Sequence, residues 1–402
     1  MIYILFTADY ELYFGKNFLS DDKVLFEPTE MIMSALEKRS IPLNIFPDIC
    51  SVWRHKEYEL LDYVDKFESQ LIEAVRRGND VQLHLHPHWL KSIYNGKEWT
   101  HDIGIFKLQD FGFDGEEAKD YSLFEVDCEN KNCKPLNPPL SPFQKGDFSP
   151  SYDHSANRLI KRGKEYLESL LTKYAPNYKC IAFRAGGYCL QPEDKKLIQA
   201  LLDTGITIDS SIIPNLVSNT NVNEIDFKGI PDLPNWFISA QGGVKKPDQK
   251  GLFEIPIPSS TKILPKLKAM AKGIFSKDSV VNSPRGIVIQ KKSVDDSFIS
   301  KNINRFNYLV KTIGSLECER MFPDRGMEYM FSILKDWIKC YAYSGDIFLS
   351  IIMHPKSIFQ NHIDNLLKFI DRICLEYSDV QFITFLEVHK ILSQTRDQSK
   401  NV

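Results

Sequence analysis

The alternation of two apolar periods in the N-terminal part of the chain is the feature that most constrains the fold. The run MIYILFTADYE reads as a strand that begins at residue 2. It is followed by helical spacing over 27–39, a strand-like run at 41–49, helical spacing over 58–77 and the alternating VQLHLH at 81–86. Strands that alternate with helices in this way predict βα units and a parallel sheet or barrel.

Two irregular stretches, at about 91–150 and about 214–300, interrupt this pattern. The first is rich in Asp, Asn, Gly and Pro, and the second contains the strand-like LFEIPIP at 252–258. Regular structure is predicted around them, with helices at 155–174, 192–205, 326–343 and 360–377 and strands at 180–186, 206–211, 347–355 and 380–385. We therefore predict one α/β, barrel-like domain over 1–395 with two large loop insertions, followed by a tail at 396–402.

The overall charge and the N-terminus restrict the partners and the location. A formal net charge of −3 gives no electrostatic reason to expect nucleic acid as a partner. The eight cysteines form no CxxC pair, a usage that fits a reducing compartment. The chain opens without a secretory signal, and no window approaches the roughly 20 apolar residues of a membrane span. We predict a cytoplasmic protein without a transmembrane segment, whose oligomeric state the pattern leaves open.

A basic stretch at 262–292 is the one feature that points toward a membrane surface. Part of it is amphipathic enough to touch anionic lipids, so a peripheral membrane contact stays open. A solvated helix is the plainer interpretation of such a charge run.

Three of the nine histidines, His84, His86 and His88, fall within five residues. Because strand side chains alternate, His84 and His86 share one face of the predicted strand. Pro87 ends that strand, so His88 can turn toward the first two. Converging imidazoles at a strand end suit zinc or a similar divalent ion. The alternative is a set of exposed or core histidines without a ligand, which the clustering disfavours.

Asp9 and Glu11 lie at positions i and i+2 at the end of the first strand, so both can face the same pocket. One carboxylate could bind a metal while the other accepts a proton from water. Alone, the pair would be interpreted as a solvated strand end or a helix cap. Two histidines and a carboxylate make Zn²⁺ the expected metal, and Co²⁺, Ni²⁺ or Fe²⁺ also suit these ligands.

Other polar residues also follow apolar runs at predicted strand ends. Arg184 in FRAGGY could orient a carboxylate through charge-assisted hydrogen bonds, and the adjoining glycines permit a close backbone approach. Asp209 in TIDSS and His354 in SIIMHP occupy equivalent positions. Opposite a metal, His354 would be a natural general acid for a leaving amine.

Taken in chain order, these patches resemble the motifs of the polysaccharide deacetylase (NodB-homology) superfamily of carbohydrate esterases. The resemblance extends from the N-terminus to near residue 354 and implies a distorted, incomplete (β/α) barrel. TADYE resembles the first motif, which implies a base at Asp9 and a metal ligand at Glu11. HLHPH resembles the His-x-x-x-His motif, which implies His84 and His88 as the other ligands.

The later motifs appear in the same order. RAGGY resembles the third motif, whose arginine orients the base, and this implies that role for Arg184. TIDSS, which contains Asp209, resembles the fourth motif. The strand that ends in MHP resembles the fifth motif, which supplies the catalytic acid, here His354.

Three departures from the family pattern leave roles open. A tyrosine separates Asp9 from Glu11, so the base and the ligand could exchange roles. His86 is an additional histidine that could replace either neighbour as a ligand. The third motif lacks the usual proline, so the oxyanion donor could be the N–H of Gly187 or of Tyr188.

The resemblance implies a metal-dependent N-deacylase that acts on an N-acylated sugar or oligosaccharide and releases acetate or formate. In that reaction Asp9 would take a proton from water, and His354, assisted by Asp209, would protonate the departing amine. Nucleotide-linked or lipid-linked precursors of surface polysaccharides are the expected substrates, by analogy. Two alternatives stay open: a related C–N hydrolase of a small cyclic amide or ureide, and a non-catalytic carbohydrate-binding protein on the same fold.

Overall fold

The computed structural model describes residues 1–101, 104–116, 155–220, 222–262, 286–288, 314–321 and 324–400. The stretches 117–154, 263–285 and 289–313, which include parts of both predicted insertions, lie outside the described residues. Most of the basic stretch at 262–292 lies there too, so the peripheral membrane contact stays a prediction.

The main strands and helices alternate over most of the described chain. The strands are β1 (Ile2–Tyr10), β2 (Leu43–Pro47), β3 (Asp80–Val81), β4 (Leu83–Leu85), β5 (Ala182–Ala185), β6 (Ile208–Asp209), β7 (Trp236–Ser239), β8 (Gly243–Asp248), β9 (Leu252–Glu254), β10 (Ile347–Met353) and β11 (Val380–Phe382). The helices are α1 (Glu27–Glu37), α2 (Ile49–Glu57), α3 (Leu61–Arg76), α4 (Ala156–Leu171), α5 (Asp194–Asp203), α6 (Asp324–Tyr341), α7 (Gln360–Glu376) and α8 (Phe385–Lys400). Shorter strands pair among themselves at Gly15–Asn17, Ile93–Tyr94, Trp99–Thr100, Val217–Asn219, Glu224–Asp226, Ser259–Ser260, Gly286–Val288 and Gly314–Ser315.

The strands form two sheets whose edges meet on both sides. One sheet has the parallel order β10-β1-β2-β3. The other has the parallel order β4-β5-β6-β9, and β7 and β8 continue it in antiparallel fashion. Gln82 N donates to Ile45 O at 2.8 Å at one junction, and Ser350 N donates to Pro256 O at 3.1 Å at the other. The strands therefore close into an irregular ring, and the predicted α/β, barrel-type fold is confirmed.

Strand β1 crosses the centre of its sheet and is buried at every position but Tyr3. It pairs with β10 along one side, and with β11 and then β2 along the other. A parallel strand covered on both faces requires apolar side chains on both, which explains its nearly continuous apolar run. The charged Asp9 near its end therefore needs a partner inside the protein.

Amphipathic helices cover the outside of the ring. In α3, for example, the buried side chains recur on one face, at Tyr63, Val64, Phe67, Leu71 and Ala74. Within the described part of the chain, no helix has both the length and the apolar character to cross a membrane.

Two helices lie where the apolar pattern does not predict them. Helix α2 begins directly after β2, because the Asp48 side chain caps it by accepting a hydrogen bond from Cys50 N at 3.2 Å. The predicted last strand is present as β11, and helix α8 follows it at Phe385–Lys400, where the pattern predicts no element before the tail at 396–402. The predicted division into one domain and a tail stays a prediction.

Asp80, at the start of β3, is a buried carboxyl that connects the ring to α8. Its Oδ1 accepts hydrogen bonds from Val81 N and Gln82 Nε2, each at 2.9 Å, and its Oδ2 accepts one from Leu386 N at 3.1 Å. Burial nevertheless outweighs these bonds and raises the pKa of Asp80 to about 7. The group therefore holds its proton in the folded state over a pH range in which the unfolded chain has already lost it.

We expect the Asp80→Asn variant to show a weaker dependence of stability on pH than the wild type. Because the folded-state pKa of Asp80 exceeds the ordinary value, its contribution to the free energy of unfolding falls as pH rises from about 4 to about 7. At about 1.4 kcal/mol per pH unit, the full effect is at most about 4 kcal/mol. Urea unfolding near pH 5 and near pH 8 measures it, and an equal loss of stability in both proteins would contradict the assignment.

Candidate metal centre

The polar residues predicted from the sequence meet at the carboxyl ends of the parallel strands. Asp9 and Glu11 lie at the end of β1, His84 in β4, Arg184 in β5, Asp209 at the end of β6, and His354 directly after β10. Carboxyl ends of parallel strands in a closed ring share one edge, which is where barrel enzymes carry their active sites. All of these side chains are buried except that of His354, which is about one fifth exposed (22%).

Glu11, His84 and His86 form a buried group whose potential ligand atoms lie within 4.8 Å of one another. Glu11 Oε2 is 3.2 Å from His84 Nε2 and 2.5 Å from His86 Nε2. Two imidazole nitrogens and one carboxylate oxygen are a donor set that catalytic zinc sites use. This group could therefore bind a metal ion.

The hydrogen bonding of His84 supports this interpretation. Its Nδ1 lies 2.8 Å from the carbonyl oxygen of Arg184, which can only accept, so Nδ1 carries the hydrogen. Nε2 then directs its lone pair at a carboxylate oxygen unless a proton or a metal ion lies between them. Burial acts to lower the pKa of His84, but its hydrogen bond to Glu11 and the charges of Asp9 and Glu11 outweigh it and raise the pKa. A backbone carbonyl on the second ring nitrogen is the usual support of a metal-ligating histidine.

Lys356 occupies the other oxygen of Glu11. Its Nζ lies 2.5 Å from Glu11 Oε1 and 3.2 Å from Leu12 O, and the side chain is buried. Burial acts to raise the pKa of Glu11, but the charges of Lys356 and His86 and the histidine hydrogen bonds lower it well below its ordinary value. The motifs of the sequence do not include Lys356, although its place two residues after His354, near the same strand end, is a signal that points to it.

His86 and His88, the two histidines whose roles the sequence leaves open, differ in placement. The His86 side chain contacts Glu11. The backbone of His86 is held in place by a hydrogen bond, which its N–H donates to Asp48 Oδ1 at 3.0 Å. His88 lies beside the group, with its ring 5.4 Å from that of His86 and stacked on Phe106. Neither ring nitrogen of His88 has a hydrogen-bond partner among the described residues. Burial, together with His86 and His101, lowers its pKa well below the ordinary value.

Gly186 allows the chain after β5 to approach His86. A Cβ at this position would come within 2.5 Å of the Leu85 carbonyl oxygen and 2.8 Å of His86 Nδ1. Gly187 and Tyr188 follow, with φ angles of +60° and +62°. This left-handed conformation is common for glycine but rare for a residue such as tyrosine. Which of their two N–H groups would face an oxyanion stays a prediction.

Arg184 orients Asp9. The guanidinium donates from Nη1 to Asp9 Oδ1 at 3.0 Å and from Nη2 to Thr7 Oγ1 and Ser210 Oγ, each at 3.1 Å. Arg184 is fully buried, and its guanidinium lies over the Phe46 ring at 4.7 Å. These contacts fix one oxygen of Asp9 and leave Oδ2 facing His354, whose Nε2 is 3.7 Å away.

His354 is paired with Glu319, a residue that the sequence analysis does not identify. Glu319 Oε1 lies 2.8 Å from His354 Nδ1 and also accepts the backbone N–H of His354. Burial acts to lower the pKa of His354, but the charge and hydrogen bond of Glu319 and the charges of Asp9 and Glu11 raise it to about 9. Glu319 lies in a short helical turn at Cys318–Met321, after the second insertion, where no apolar period marks it.

Asp209, which the sequence analysis assigns to assist His354, has other partners. Ser211 donates to its two oxygens, from N and from Oγ, each at 2.9 Å. Glu254 lies beside it, and burial and the charge of Asp209 raise the pKa of Glu254 well above its ordinary value. Both carboxyl groups are fully buried. The structure therefore gives His354 the partner Glu319 instead.

Comparison with known proteins finds similarity in fold. No family model matches the sequence, and no curated protein matches it either. The chain is similar to a protein from Mycobacterium smegmatis assigned as a polysaccharide deacetylase, at 10% identity and a TM-score of 0.45 over 98% of this chain and 91% of that one. It is also similar to the PuuE allantoinase, at 14% identity and a TM-score of 0.42 over 97% and 89%. A third similar structure is a 4-alpha-glucanotransferase from Thermococcus litoralis, at 10% identity and a TM-score of 0.41 over 96% and 40%.

The fold and the site together define an α/β barrel protein with a buried Glu/His/His group that could hold a metal ion. Beside that group stand an arginine-oriented aspartate and a glutamate-paired histidine.

We expect His86→Ala to abolish metal binding and His88→Ala to retain it. The two substitutions remove buried histidines two residues apart, so they are matched in size and location, but only His86 contacts Glu11. Metal content of protein purified without chelator should fall from about one equivalent in wild type to near none in His86→Ala, as it should in His84→Ala. If His88→Ala lost the metal and His86→Ala retained it, the ligands would instead be His84 and His88, as the family resemblance implies.

Proposed function

We propose that this protein is a metal-dependent N-deacylase that removes an acyl group from an N-acylated sugar. The observation that carries the proposal is the position of Asp9 and His354 beside the Glu11 group at one strand edge, each with its own partner. Amide hydrolysis needs a base for water, an acid for the leaving nitrogen and stabilisation of the carbonyl oxygen. Asp9 and His354 are our candidates for the base and the acid, and an ion held by the Glu11 group would stabilise the carbonyl oxygen.

Glu11, His84 and His86 would hold the divalent ion, with zinc the metal that best suits this donor set. Such an ion polarises the amide carbonyl and makes water more acidic. Asp9 accepts the proton of the attacking water at Oδ2, because Arg184 holds Oδ1. His354 donates a proton from Nε2 to the departing nitrogen, so that the C–N bond breaks to give an amine and a carboxylic acid.

The spacing of the acid and the base suits this division of roles. His354 Nε2 and Asp9 Oδ2 are 3.7 Å apart, which is longer than a hydrogen bond. His354 therefore does not donate its Nε2 proton to Asp9, and the lone pairs of Asp9 Oδ2 stay available for water. Both groups face the Glu11 side of the site. The raised pKa of His354 means that it is protonated at neutral pH, as a general acid must be.

A glycosidase mechanism has less support in this chain. It would use a pair of carboxyl groups on either side of the scissile bond. The pair formed by Asp209 and Glu254 is fully buried and bound to the backbone N–H groups of Ser211 and Ile212. That pair is therefore bonded within the protein and not exposed to a sugar.

The sugar part of the proposal rests on the motif resemblance described above, which also favours nucleotide-linked or lipid-linked precursors. The test is a panel of N-acetyl and N-formyl amino sugars, free and nucleotide-linked, incubated with zinc- or cobalt-loaded protein while acetate and formate are measured. Release that depends on added metal supports the proposal. Hydrolysis of cyclic ureides alone would favour the related C–N hydrolase, and metal-free protein that binds sugars without release would favour the binding protein.

We expect Asp9→Asn to lower kcat by roughly a hundredfold or more, because general base catalysis contributes about 10² to 10⁴. The asparagine keeps an oxygen for Arg184 but cannot take up a proton. Metal content serves as the control, since Asp9 is not in the Glu11 group. Undiminished kcat in this variant would overturn the assignment of the base.

We expect Glu319→Gln to lower kcat by roughly tenfold to a hundredfold with little change in KM. Glu319 orients His354 and favours its protonated form, and in the proposed mechanism it does not contact the substrate. Glu319→Asp should recover part of the loss. Glu317→Gln is the matched control, since the same change two residues away leaves His354 untouched. Equal effects of the two glutamine variants would contradict the pairing.

A further inference from the structure

Lys356 is a buried cation that contacts Glu11 at the oxygen opposite the one nearest His84 and His86. Only 5% of its surface is exposed. Its ammonium lies 2.5 Å from Glu11 Oε1 and within 5.3 Å of the centre of the Tyr13 ring. Burying a lysine costs considerable desolvation free energy. If the side chain at position 356 served only to fill space in the core, an apolar side chain of similar size, such as methionine, would suit it as well.

The backbone alone does not hold Glu11 in place. Strand β1 ends at Tyr10, so Glu11 is the first residue beyond the ladder of sheet hydrogen bonds. Residue 356 connects to the segment after β1 at three points: Lys356 Nζ donates to Glu11 and to Leu12 O, and Tyr13 Oη donates to Lys356 O at 3.0 Å. Pro355 begins the short turn that carries Lys356 after β10. Contacts from the β10 side therefore orient the Glu11 carboxylate together with those of His84 and His86.

This arrangement divides the two oxygens of Glu11 between two tasks. Oε1 is bound by Lys356 and lies 3.9 Å from His354 Nε2, whereas Oε2 is the oxygen nearest to His84 and His86. A carboxylate can bind a cation through one oxygen or through both, and the second mode fills an additional coordination position. Catalytic sites need a position left over for water.

We propose that Lys356 is a positioning residue that makes Glu11 present a single oxygen to the bound metal ion and so keeps a coordination position open for water. The inference rests on the proposed function, because it assumes that the Glu11 group binds a metal. It assigns a role to a residue that neither contacts the metal nor supplies a proton.

The test compares wild type, Lys356→Met and Lys356→Arg after loading with Co²⁺, whose visible absorption weakens as its coordination number rises. Wild type and Lys356→Arg, which keeps a donor for Oε1, should bind about one equivalent and absorb strongly. Lys356→Met should bind a similar amount but absorb severalfold more weakly, since Glu11 is then able to bind with both oxygens. Lys16→Met, which removes an exposed lysine paired with Glu98, is the control and should match wild type.

An absorption spectrum of Lys356→Met identical to that of wild type, at equal cobalt content, would overturn the inference. Failure of wild type to bind cobalt would instead overturn the proposed function itself. If Lys356→Met does not fold, X-ray absorption of zinc-loaded wild type decides the question. Four neighbours with one oxygen from the carboxylate support the role of Lys356, and a carboxylate bound through both oxygens contradicts it.

Discussion

The buried carboxylate of Glu11 is the group on which the candidate site depends. A carboxylate removed from water must be compensated by nearby donors or cations. Here Lys356 lies 2.5 Å from one oxygen, and His84 and His86 lie 3.2 and 2.5 Å from the other. These partners come from β10 and β4, so the compensation of one charge ties together strands on opposite sides of β1.

The same requirement organises the groups around this centre. Two of the residues at the strand edge have a partner of opposite charge from elsewhere in the chain: Asp9 has Arg184, and His354 has Glu319. Such pairing leaves Asp9 and His354 facing each other without a hydrogen bond between them. In the proposed reaction, this arrangement would keep the base and the acid distinct at short range.

Much of the fold follows from local pattern, and the exceptions have identifiable causes. The apolar run of β1 and the helical period of α3 correspond to elements in the structure, because burial on both faces of a parallel strand and on one face of a helix leaves a direct mark on the sequence. Helix α2 is different, since a single capping residue, Asp48, starts it within a run that looks extended. The convergence of Asp9, His84, Arg184 and His354 was also predictable, because parallel strands end at one edge.

The sequence by itself determined which residues end strands, that His84 and His86 share a face, and that an acid-rich strand end and a histidine cluster belong to one site. Only the tertiary structure decided that His86 rather than His88 contacts Glu11, that Glu319 rather than Asp209 pairs with His354, and that Lys356 binds Glu11. The reason is physical. Side-chain periodicity acts over a few residues, whereas the contact between Glu11 and Lys356 joins positions 345 residues apart and exists only because β10 pairs with β1 in the sheet.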